Sequence, residues 1–244
     1  MNLDEERHFF DAFEAEHGEY DVLAEEAYRR ILSVLEKQMQ PRPGTTVLDL
    51  GCGTGAFTRR LNALGFITTG VDISPRSVER ANALGGGRFV VGDISHCPLL
   101  SACYDQAVMS GVLHHVPARE ARIRCLREAH RLLKSGGRFF SYDPNGHSPS
   151  MWLYRDPNSL FYSAAGKTKN EVLLTRRQVT EELLEAGFSD VSVSGLSGMA
   201  YRYVEGRFAR LMLPWYNRLY EPAIRWSGFE RNIGTFLIAT AIKR

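Results

Sequence analysis

The feature that most constrains the fold is a glycine-rich turn between a strand pattern and a helical pattern. Residues 46–50 form a short apolar run, and glycines then occupy the alternate positions Gly51, Gly53 and Gly55. Helical spacing of apolar residues resumes over residues 56–64. Glycine lets the backbone turn tightly and lets a ligand approach where a Cβ atom would clash. In this context the turn predicts a ligand site at the end of a buried strand.

The residues around this turn leave two kinds of cofactor open. Gly51, Gly53 and Ala56 match the dinucleotide pattern G-x-G-x-x-A, and Asp72 lies about 20 residues further on, where a ribose-binding acid is expected. Asp49, at the entrance of the turn, would repel a pyrophosphate but not a cofactor that carries an ammonium and a sulfonium. Asp49 therefore favours the sulfonium cofactor, and NAD stays as the alternative.

Strand and helix patterns alternate along the rest of the chain. Strand patterns occupy residues 67–71, 88–91, 104–109, 138–142, 191–193 and 235–242, and helical patterns occupy residues 75–84, 118–133 and 175–186. Ser74 is suitably placed to cap the helix that starts at residue 75. This alternation predicts an α/β fold of the Rossmann-like type, with a mostly parallel, doubly wound sheet covered on both faces.

Three segments depart from the alternation and are expected to form a cap. Residues 1–40, helical in pattern over 3–39, are expected to be an N-terminal helical cap. Residues 144–174 are rich in Pro, Asn, Ser and Tyr, and residues 196–232 mix aromatic side chains with arginines. Long connections inside a compact domain are usually functional, so both are expected to be substrate-cap insertions in a single domain spanning residues 1–244.

The composition is that of an ordinary globular domain. Hydrophobic residues make up 44% and charged residues 24% of the 244 residues, and the formal net charge is +2. This net charge does not supply the dense basic patch that captures a polyanion, and no nucleic-acid partner is expected. No apolar run is long enough to cross a bilayer, although the aromatic and arginine residues of 196–232 allow peripheral membrane contact.

The cysteines indicate a reduced protein without a metal centre. The chain has four, Cys52, Cys97, Cys103 and Cys125, with no C-x-x-C pair and no His/Cys cluster at zinc spacing. The acidic start also lacks the basic and apolar regions of a signal peptide. We therefore expect a cytoplasmic protein that holds no metal.

Five motifs, in order along the chain, resemble those of class I S-adenosylmethionine-dependent methyltransferases, in particular the small-molecule and quinone-biosynthesis-like subgroup. They are motif I at residues 47–55, a ribose-binding segment at 70–74, an adenine-binding segment at 92–94, the sequence Leu-His-His-Val at 113–116, and the turn before strand five at 132–137. The resemblance implies a seven-stranded sheet whose last strand runs antiparallel. It also implies that S-adenosylmethionine binds at the carboxyl ends of the strands.

The resemblance also implies roles for individual residues. Gly51, Cys52 and Gly53 would line the methionine part of the cofactor, and Ser110 would lie near it at the end of strand four. Asp72 and Ile73 would hold the ribose and one adenine face, and Asp93 and Ile94 the other end of the adenine. The expected cofactor-binding residues are Asp49, Gly51, Cys52, Gly53, Gly55, Asp72, Ile73, Asp93, Ile94 and Ser110.

Two adjacent histidines are the candidate catalytic residues. Positioning supplies much of the catalysis of methyl transfer, because the leaving group is neutral and good. A hydroxyl acceptor still benefits from a base, and neutral histidine suits that role near pH 7. His115 is the first candidate and His114 the second. Adjacent side chains leaving a strand point in different directions, so we expect one of them to face the acceptor and the other to be a core or cofactor-shell residue.

The end of strand four bears on the acceptor. Residues 110–113, Ser-Gly-Val-Leu, stand where many enzymes that methylate amide or exocyclic nitrogen carry an Asn-Pro-Pro-Tyr-like sequence. We therefore expect transfer of a methyl group to an oxygen, or a carbon, of a small apolar or aromatic metabolite such as a quinone precursor, polyketide, glycoside or lipid. The alternatives are an NAD-dependent oxidoreductase and a non-catalytic protein that binds S-adenosylmethionine.

Overall fold

A computed structural model describes residues 8, 11–12, 23–40, 42, 44–163, 171–202 and 204–244. The strands are β1 (Thr46–Leu50), β2 (Ile67–Asp72), β3 (Arg88–Val91), β4 (Tyr104–Ser110), β5 (Leu133–Pro144), β6 (Ser189–Leu196) and β7 (Phe236–Ile242). The helices are α1 (Glu25–Met39), α2 (Ala56–Ala63), α3 (Pro75–Leu84), α4 (Arg119–Leu132), α5 (Pro149–Arg155), α6 (Arg176–Glu185), α7 (Arg207–Trp215), α8 (Glu221–Trp226) and α9 (Glu230–Ile233). A 3-10 turn spans Leu113–His115, and a π-helical segment, Tyr216–Tyr220, joins α7 to α8.

The strands form one sheet in the order β3-β2-β1-β4-β5-β7-β6. Strand β7 runs antiparallel to β5 and β6, and the other pairings are parallel. The predicted seven-stranded sheet with an antiparallel last strand is confirmed. The strand order reverses between β1 and β4, and open α/β sheets bind their ligands at such a switch point, outside the carboxyl ends of the strands.

Neighbouring residues of the central strands are buried in two different cores. Leu48 of β1 belongs to a core that includes Leu126 of α4, whereas Val47 belongs to a core that includes Ile31 of α1. The two-residue period of a strand sends adjacent side chains to opposite faces of the sheet. Since both faces are covered, the carboxyl edge of the sheet is left to form a site.

Local sequence signals set most element boundaries correctly. Strands β1 and β3 have the predicted bounds. Helix α3 begins where predicted, because the Ser74 hydroxyl accepts a hydrogen bond from the Ser77 amide at 3.1 Å. A side-chain cap of this kind satisfies one of the free amides in the first turn of a helix.

Strand β5 is longer than the predicted 138–142. It begins at Leu133, which pairs with Tyr104, and the Gly136 amide donates to the carbonyl of Lys243. These contacts with distant segments extend the strand through a glycine turn that was expected to separate it from α4. Helix α4 accordingly ends one residue before the predicted position.

The segments expected to form the cap contain helices in their described parts. Helix α1 confirms the carboxyl-terminal part of the predicted helix over 3–39, whereas residues 1–7, 9–10 and 13–22 lie outside the described residues. Helix α5 lies in the 144–174 segment, and α7 and α8 lie in the 196–232 segment. Helix α9 begins in the 196–232 segment and ends one residue beyond it. The Ala24 amide donates to the carbonyl of Ala200 at 2.8 Å, which joins the amino-terminal segment to the second insertion.

No described helix is long and apolar enough to cross a membrane. All four cysteines are free thiols.

Candidate active site

A cavity of about 460 Å³ lies at the carboxyl ends of β1, β2, β4 and β5. Its lining has three parts: the glycine turn with two acids, the two histidines, and a set of aromatic side chains. The volume lies within the range of small-molecule sites, roughly 300–1,000 Å³.

Two glycines of the turn are required for different reasons. Gly51 has φ +78° and packs against Val112, since a Cβ atom there would lie 2.7 Å from Val112 Cγ2. Gly53 has φ +51°, and a Cβ atom there would meet no atom of the described protein within 4 Å. Gly53 also lines the cavity, so its missing side chain leaves room for close approach of a ligand to the backbone.

Two carboxylates stand at the ends of β2 and β3. Asp72 accepts hydrogen bonds from the Gly53 amide at 2.8 Å and the Ser74 amide at 2.9 Å, one on each oxygen. Burial raises the pKa of Asp72, and these amides oppose the rise. Asp93 accepts from the Ser95 amide at 2.7 Å. Each carboxylate keeps lone pairs that can accept from a ligand hydroxyl or amino group.

Most of the predicted site residues line this cavity. They are Gly51, Cys52, Gly53, Asp72, Ile73, Asp93, Ile94, Ser110, His114 and His115. These residues come from separate turns along the chain, and the parallel strands bring them to one edge of the sheet.

Asp49 and Gly55 are not among the residues that line the cavity. Asp49 is fully buried and accepts a hydrogen bond from the Thr58 hydroxyl of α2 at 2.7 Å. Its other oxygen has no hydrogen-bond partner among the described residues, and burial raises its pKa to about 7. Gly55 lies against Phe89, since a Cβ atom there would be 2.6 Å from that ring. Both residues support the turn from behind, and their direct contact with a cofactor stays a prediction.

His114 forms a buried, hydrogen-bonded pair with Asp143, which lies in strand β5. The ring Nδ1 lies 2.9 Å from Asp143 Oδ1, and the His114 amide donates to the same oxygen at 3.1 Å. Both side chains are almost fully buried. A hydrogen bond to one ring nitrogen fixes the orientation of an imidazole and determines which nitrogen is available to a substrate.

Burial favours the neutral forms of both members of this pair. It lowers the pKa of His114 well below its ordinary value, and the nearby charges of His115 and Arg155 act in the same direction. It raises the pKa of Asp143 to about 8, against the backbone hydrogen bonds from His114 and Leu113. His114 is therefore a neutral imidazole near pH 7, the form that can accept a proton.

His115 belongs to a second polar group. Its Nδ1 lies 3.9 Å from Glu171, and Glu171 forms an ion pair with Arg155. The His114 and His115 ring centroids are 4.0 Å apart. Both residues line the cavity, because residues 113–115 form a 3-10 turn rather than an extended strand end, and which of them faces the acceptor stays a prediction.

Three groups near this point could in principle ligate a metal ion. Potential ligand atoms of His114, His115 and Glu171 all lie within 4.8 Å of one another. Arg155 already supplies a positive charge to Glu171, which disfavours a second cation at that carboxylate. The expectation that the chain holds no metal stays a prediction.

An aromatic group forms much of the remaining lining. The Tyr142 ring lies 5.6 Å from Phe57 and 5.9 Å from Phe236, and Tyr154 stacks on Tyr201 at 5.7 Å. All five side chains line the cavity. The sequence placed Tyr154 and Tyr201 in the two predicted cap insertions but did not single out Phe57, Tyr142 or Phe236. Tyr142 carried a readable signal, since it lies at the carboxyl end of a central strand, whereas Phe236 carried none.

The fold and this cavity define an α/β domain that binds an adenosine-type cofactor beside a largely apolar pocket. Residues 48–141 match the protein family described as "Methyltransferase domain". An uncharacterized methyltransferase of Synechocystis is 31% identical over 167 residues, which cover 68% of this chain and 76% of the relative. The chain belongs to the class I S-adenosylmethionine-dependent methyltransferases.

Other relatives differ in what their names say of the acceptor. A probable tRNA methyltransferase 9B of Mus musculus is 31% identical over 157 residues, 64% of this chain and 32% of the relative. A 27-O-demethylrifamycin SV methyltransferase of Amycolatopsis mediterranei is 33% identical over 133 residues, 50% of this chain and 48% of the relative. This chain spans about a third of the length of the tRNA methyltransferase 9B relatives.

A solved structure shows the same fold over almost the whole chain. It is a Thermotoga maritima methyltransferase described as a possible histamine N-methyltransferase, with a TM-score of 0.66 and 21% identity, covering 97% of this chain and 99% of that chain.

The cofactor of this chain is S-adenosylmethionine, and the geometry of the cavity suits it. The open space at Gly53 admits a ligand against the backbone, and Asp72 and Asp93 offer acceptors for hydroxyl and amino groups. The family assignment also decides between the two cofactors that the glycine pattern left open, in favour of the sulfonium cofactor.

Proposed function

We propose that this methyltransferase transfers a methyl group to a hydroxyl oxygen of a small apolar or aromatic metabolite. The observation that carries the proposal is the arrangement of the cavity, in which His114, hydrogen-bonded to Asp143, lines the same space as the glycine turn and the aromatic group. A base, a cofactor end and an apolar end thus share one cavity. A carbon acceptor that is already nucleophilic is the second choice, because it needs less help from a base.

The cofactor end is formed by backbone and carboxylates. Gly51 and Gly53 border the space for the methionine part, and Asp72 and Asp93 accept from the ribose and adenine. When bound, S-adenosylmethionine supplies an electrophilic methyl group on a sulfonium. The chain's contribution is to orient that group towards the acceptor and to keep water out, which is how positioning lowers the barrier.

The base is His114, in a revision of the first choice made from sequence. A proton on Nδ1, donated to Asp143, leaves Nε2 as the nitrogen that takes the hydroxyl proton of the acceptor. The Nδ1–H hydrogen bond to Asp143 then stabilises the imidazolium that forms, because a charged donor makes the stronger hydrogen bond. His115, held near Glu171, is the second candidate.

The acceptor end is roofed by the three predicted cap segments. The cavity lining includes residues from each segment: Leu23 and Tyr28 from 1–40, Met151 and Tyr154 from 144–174, and Tyr201 from 196–232. Aromatic walls favour a planar apolar acceptor by stacking and by burial of apolar surface. The name of the rifamycin relative, which acts on an oxygen, supports the same class.

A defined panel of acceptors tests this proposal. Phenols, hydroxyquinones and polyketides are each paired with the same compound carrying a methoxy group in place of the hydroxyl. Mass spectrometry should find one added methyl group on members with a free hydroxyl and none on their partners. Equal methylation within pairs would contradict O-methylation, and so would a product methylated at nitrogen.

A further inference from the structure

An exposed apolar stripe runs along the outer side of the cap. Residues 207–226 form a continuous helical run of α7, the π-helical segment and α8. Its large apolar side chains are exposed at Leu211 (68%), Trp215 (61%), Leu219 (56%) and Trp226 (82%). The first three are spaced by four residues, which places them along one side of a helix. Apolar side chains of this size, exposed together, mark an interaction surface.

The helical run cannot rotate to bury this stripe, because its inner side is fixed. Tyr216 packs on Tyr201 with ring centroids 5.8 Å apart. Buried Glu221 accepts hydrogen bonds from the amides of Gly198 at 2.6 Å and Met199 at 3.0 Å, and from the Tyr216 hydroxyl. The inner side therefore belongs to the cap, and the stripe faces outwards.

The charges beside the stripe are mostly positive. Five arginines in and just beyond the run are exposed, namely Arg207, Arg210, Arg218, Arg225 and Arg231. Of the nearby acids, Glu221 is buried and Glu230 pairs with Arg30 at 2.8 Å, whereas Glu205 is exposed. Glu26, which lines a shallow pocket with Arg218 and Arg225, pairs with Arg29 at 3.1 Å. The chain has a net charge of only +2, so this face concentrates positive charge that the rest of the chain offsets.

We propose that the outer face of the cap, defined by residues 207–231, docks on an anionic phospholipid bilayer. Tryptophan and leucine side chains enter the boundary between headgroups and acyl chains, while the arginines contact lipid phosphates. Leu211 and Leu219 favour lipid over nucleic acid, because aliphatic side chains do not stack on bases as aromatic rings do. A symmetric second copy would bring arginines against arginines, which opposes a dimer through this face.

The proposal goes beyond the methyl-transfer function and can be tested without turnover. The intact protein is sedimented with phosphatidylcholine vesicles and with vesicles of phosphatidylcholine mixed with phosphatidylglycerol. The protein should sediment with the mixed vesicles and should stay largely in solution with vesicles made of phosphatidylcholine only. The absence of binding to mixed vesicles would overturn the proposal, as would preferential binding of tRNA that competes the protein off them.

Two pairs of variants separate the apolar and charged contributions. Leu211→Ser with Trp215→Ser should weaken binding to mixed vesicles by about tenfold or more, since the inserted side chains are lost. The matched control, Leu100→Ser with Leu84→Ser, changes two exposed leucines elsewhere and should leave binding unchanged. Equal binding by the two double variants would overturn the proposal.

Arg207→Gln with Arg210→Gln should likewise weaken binding by about tenfold at low salt. Its control, Arg76→Gln with Arg80→Gln, removes two exposed arginines of α3 and should bind as the unmodified protein does. Binding of S-adenosylhomocysteine should be unchanged in all four variants, which verifies that they fold. Loss of vesicle binding in the α3 control would show that net charge, rather than this face, drives the association.

Discussion

Replacing Gly53 with alanine separates the ligand-binding role of the glycine turn from its backbone role. Gly53 has φ +51°, in the region that L-residues rarely adopt, and no atom of the described residues lies within 4 Å of its Cβ position. The backbone strain should lower the free energy of unfolding by roughly 1 kcal/mol. The added methyl group also occupies space in the cavity. Affinity for S-adenosylhomocysteine should therefore fall by about tenfold or more, or about 1.4 kcal/mol.

Gly44→Ala is the matched control. Gly44 has φ +81° and, within the described part of the chain, likewise has no atom within 4 Å of its Cβ position, but it lies outside the cavity lining. The Gly44→Ala variant should lose about as much stability as Gly53→Ala and should keep its affinity for S-adenosylhomocysteine. Gly51→Ala should be less stable than either, because its Cβ atom would lie 2.7 Å from Val112 Cγ2.

The assays are urea unfolding followed by circular dichroism and titration calorimetry with S-adenosylhomocysteine. The reasoning would be refuted by a Gly53→Ala variant that binds S-adenosylhomocysteine as tightly as the unmodified protein. The same conclusion would follow if Gly44→Ala lost as much affinity as Gly53→Ala.

Three further predictions concern the base, the core and the pH dependence of stability. His114→Ala should lower turnover by about 10²–10⁴-fold with little change in cofactor affinity, and His115→Ala should lower turnover less. Steady-state kinetics measures turnover and calorimetry measures cofactor affinity. A larger loss of turnover with His115→Ala than with His114→Ala would contradict this prediction. Glu182→Gln should lower the free energy of unfolding by roughly 3–5 kcal/mol, as measured in urea, because the buried Arg122 guanidinium loses its counter-charge. Arg122 donates two hydrogen bonds to Glu182, at 2.6 and 2.9 Å. A decrease below about 1 kcal/mol would be inconsistent with a buried pair. The pKa of Asp49 is raised to about 7 in the folded state, whereas the unfolded state releases this proton near pH 4. The free energy of unfolding should therefore fall as the pH rises from about 4 to about 7. Asp49→Asn should make that fall shallower, and a pH profile of unfolding unchanged by the substitution would refute this prediction.

The sheet could be predicted from sequence because its signals are local. Strand β1, the glycine turn and the Ser74 cap each depend on residues within a few positions of one another. The pattern of β1 could not reveal that Asp49 faces α2, because a strand buried on both faces gives no alternation of apolar and polar residues to read.

The site was less predictable, since it is formed by contacts between distant segments. Pairing of Ser110 with Tyr142 brings the end of β4 beside β5, and this register places His114 next to Asp143. The roof depends on contacts such as the Leu23–Tyr201 bridge, which no local pattern specifies. The roles assigned to the individual cofactor and catalytic residues stay predictions.

The most direct test of the central claim follows a labelled methyl group into its product. The protein is incubated with methyl-labelled S-adenosylmethionine and a cell extract, which is then separated into acid-precipitable RNA and an organic-solvent extract. We expect the label in the organic extract, and a large loss of that label with Gly53→Ala. The claim of a small apolar acceptor would be contradicted if the unmodified protein put the label into the RNA and Gly53→Ala did not.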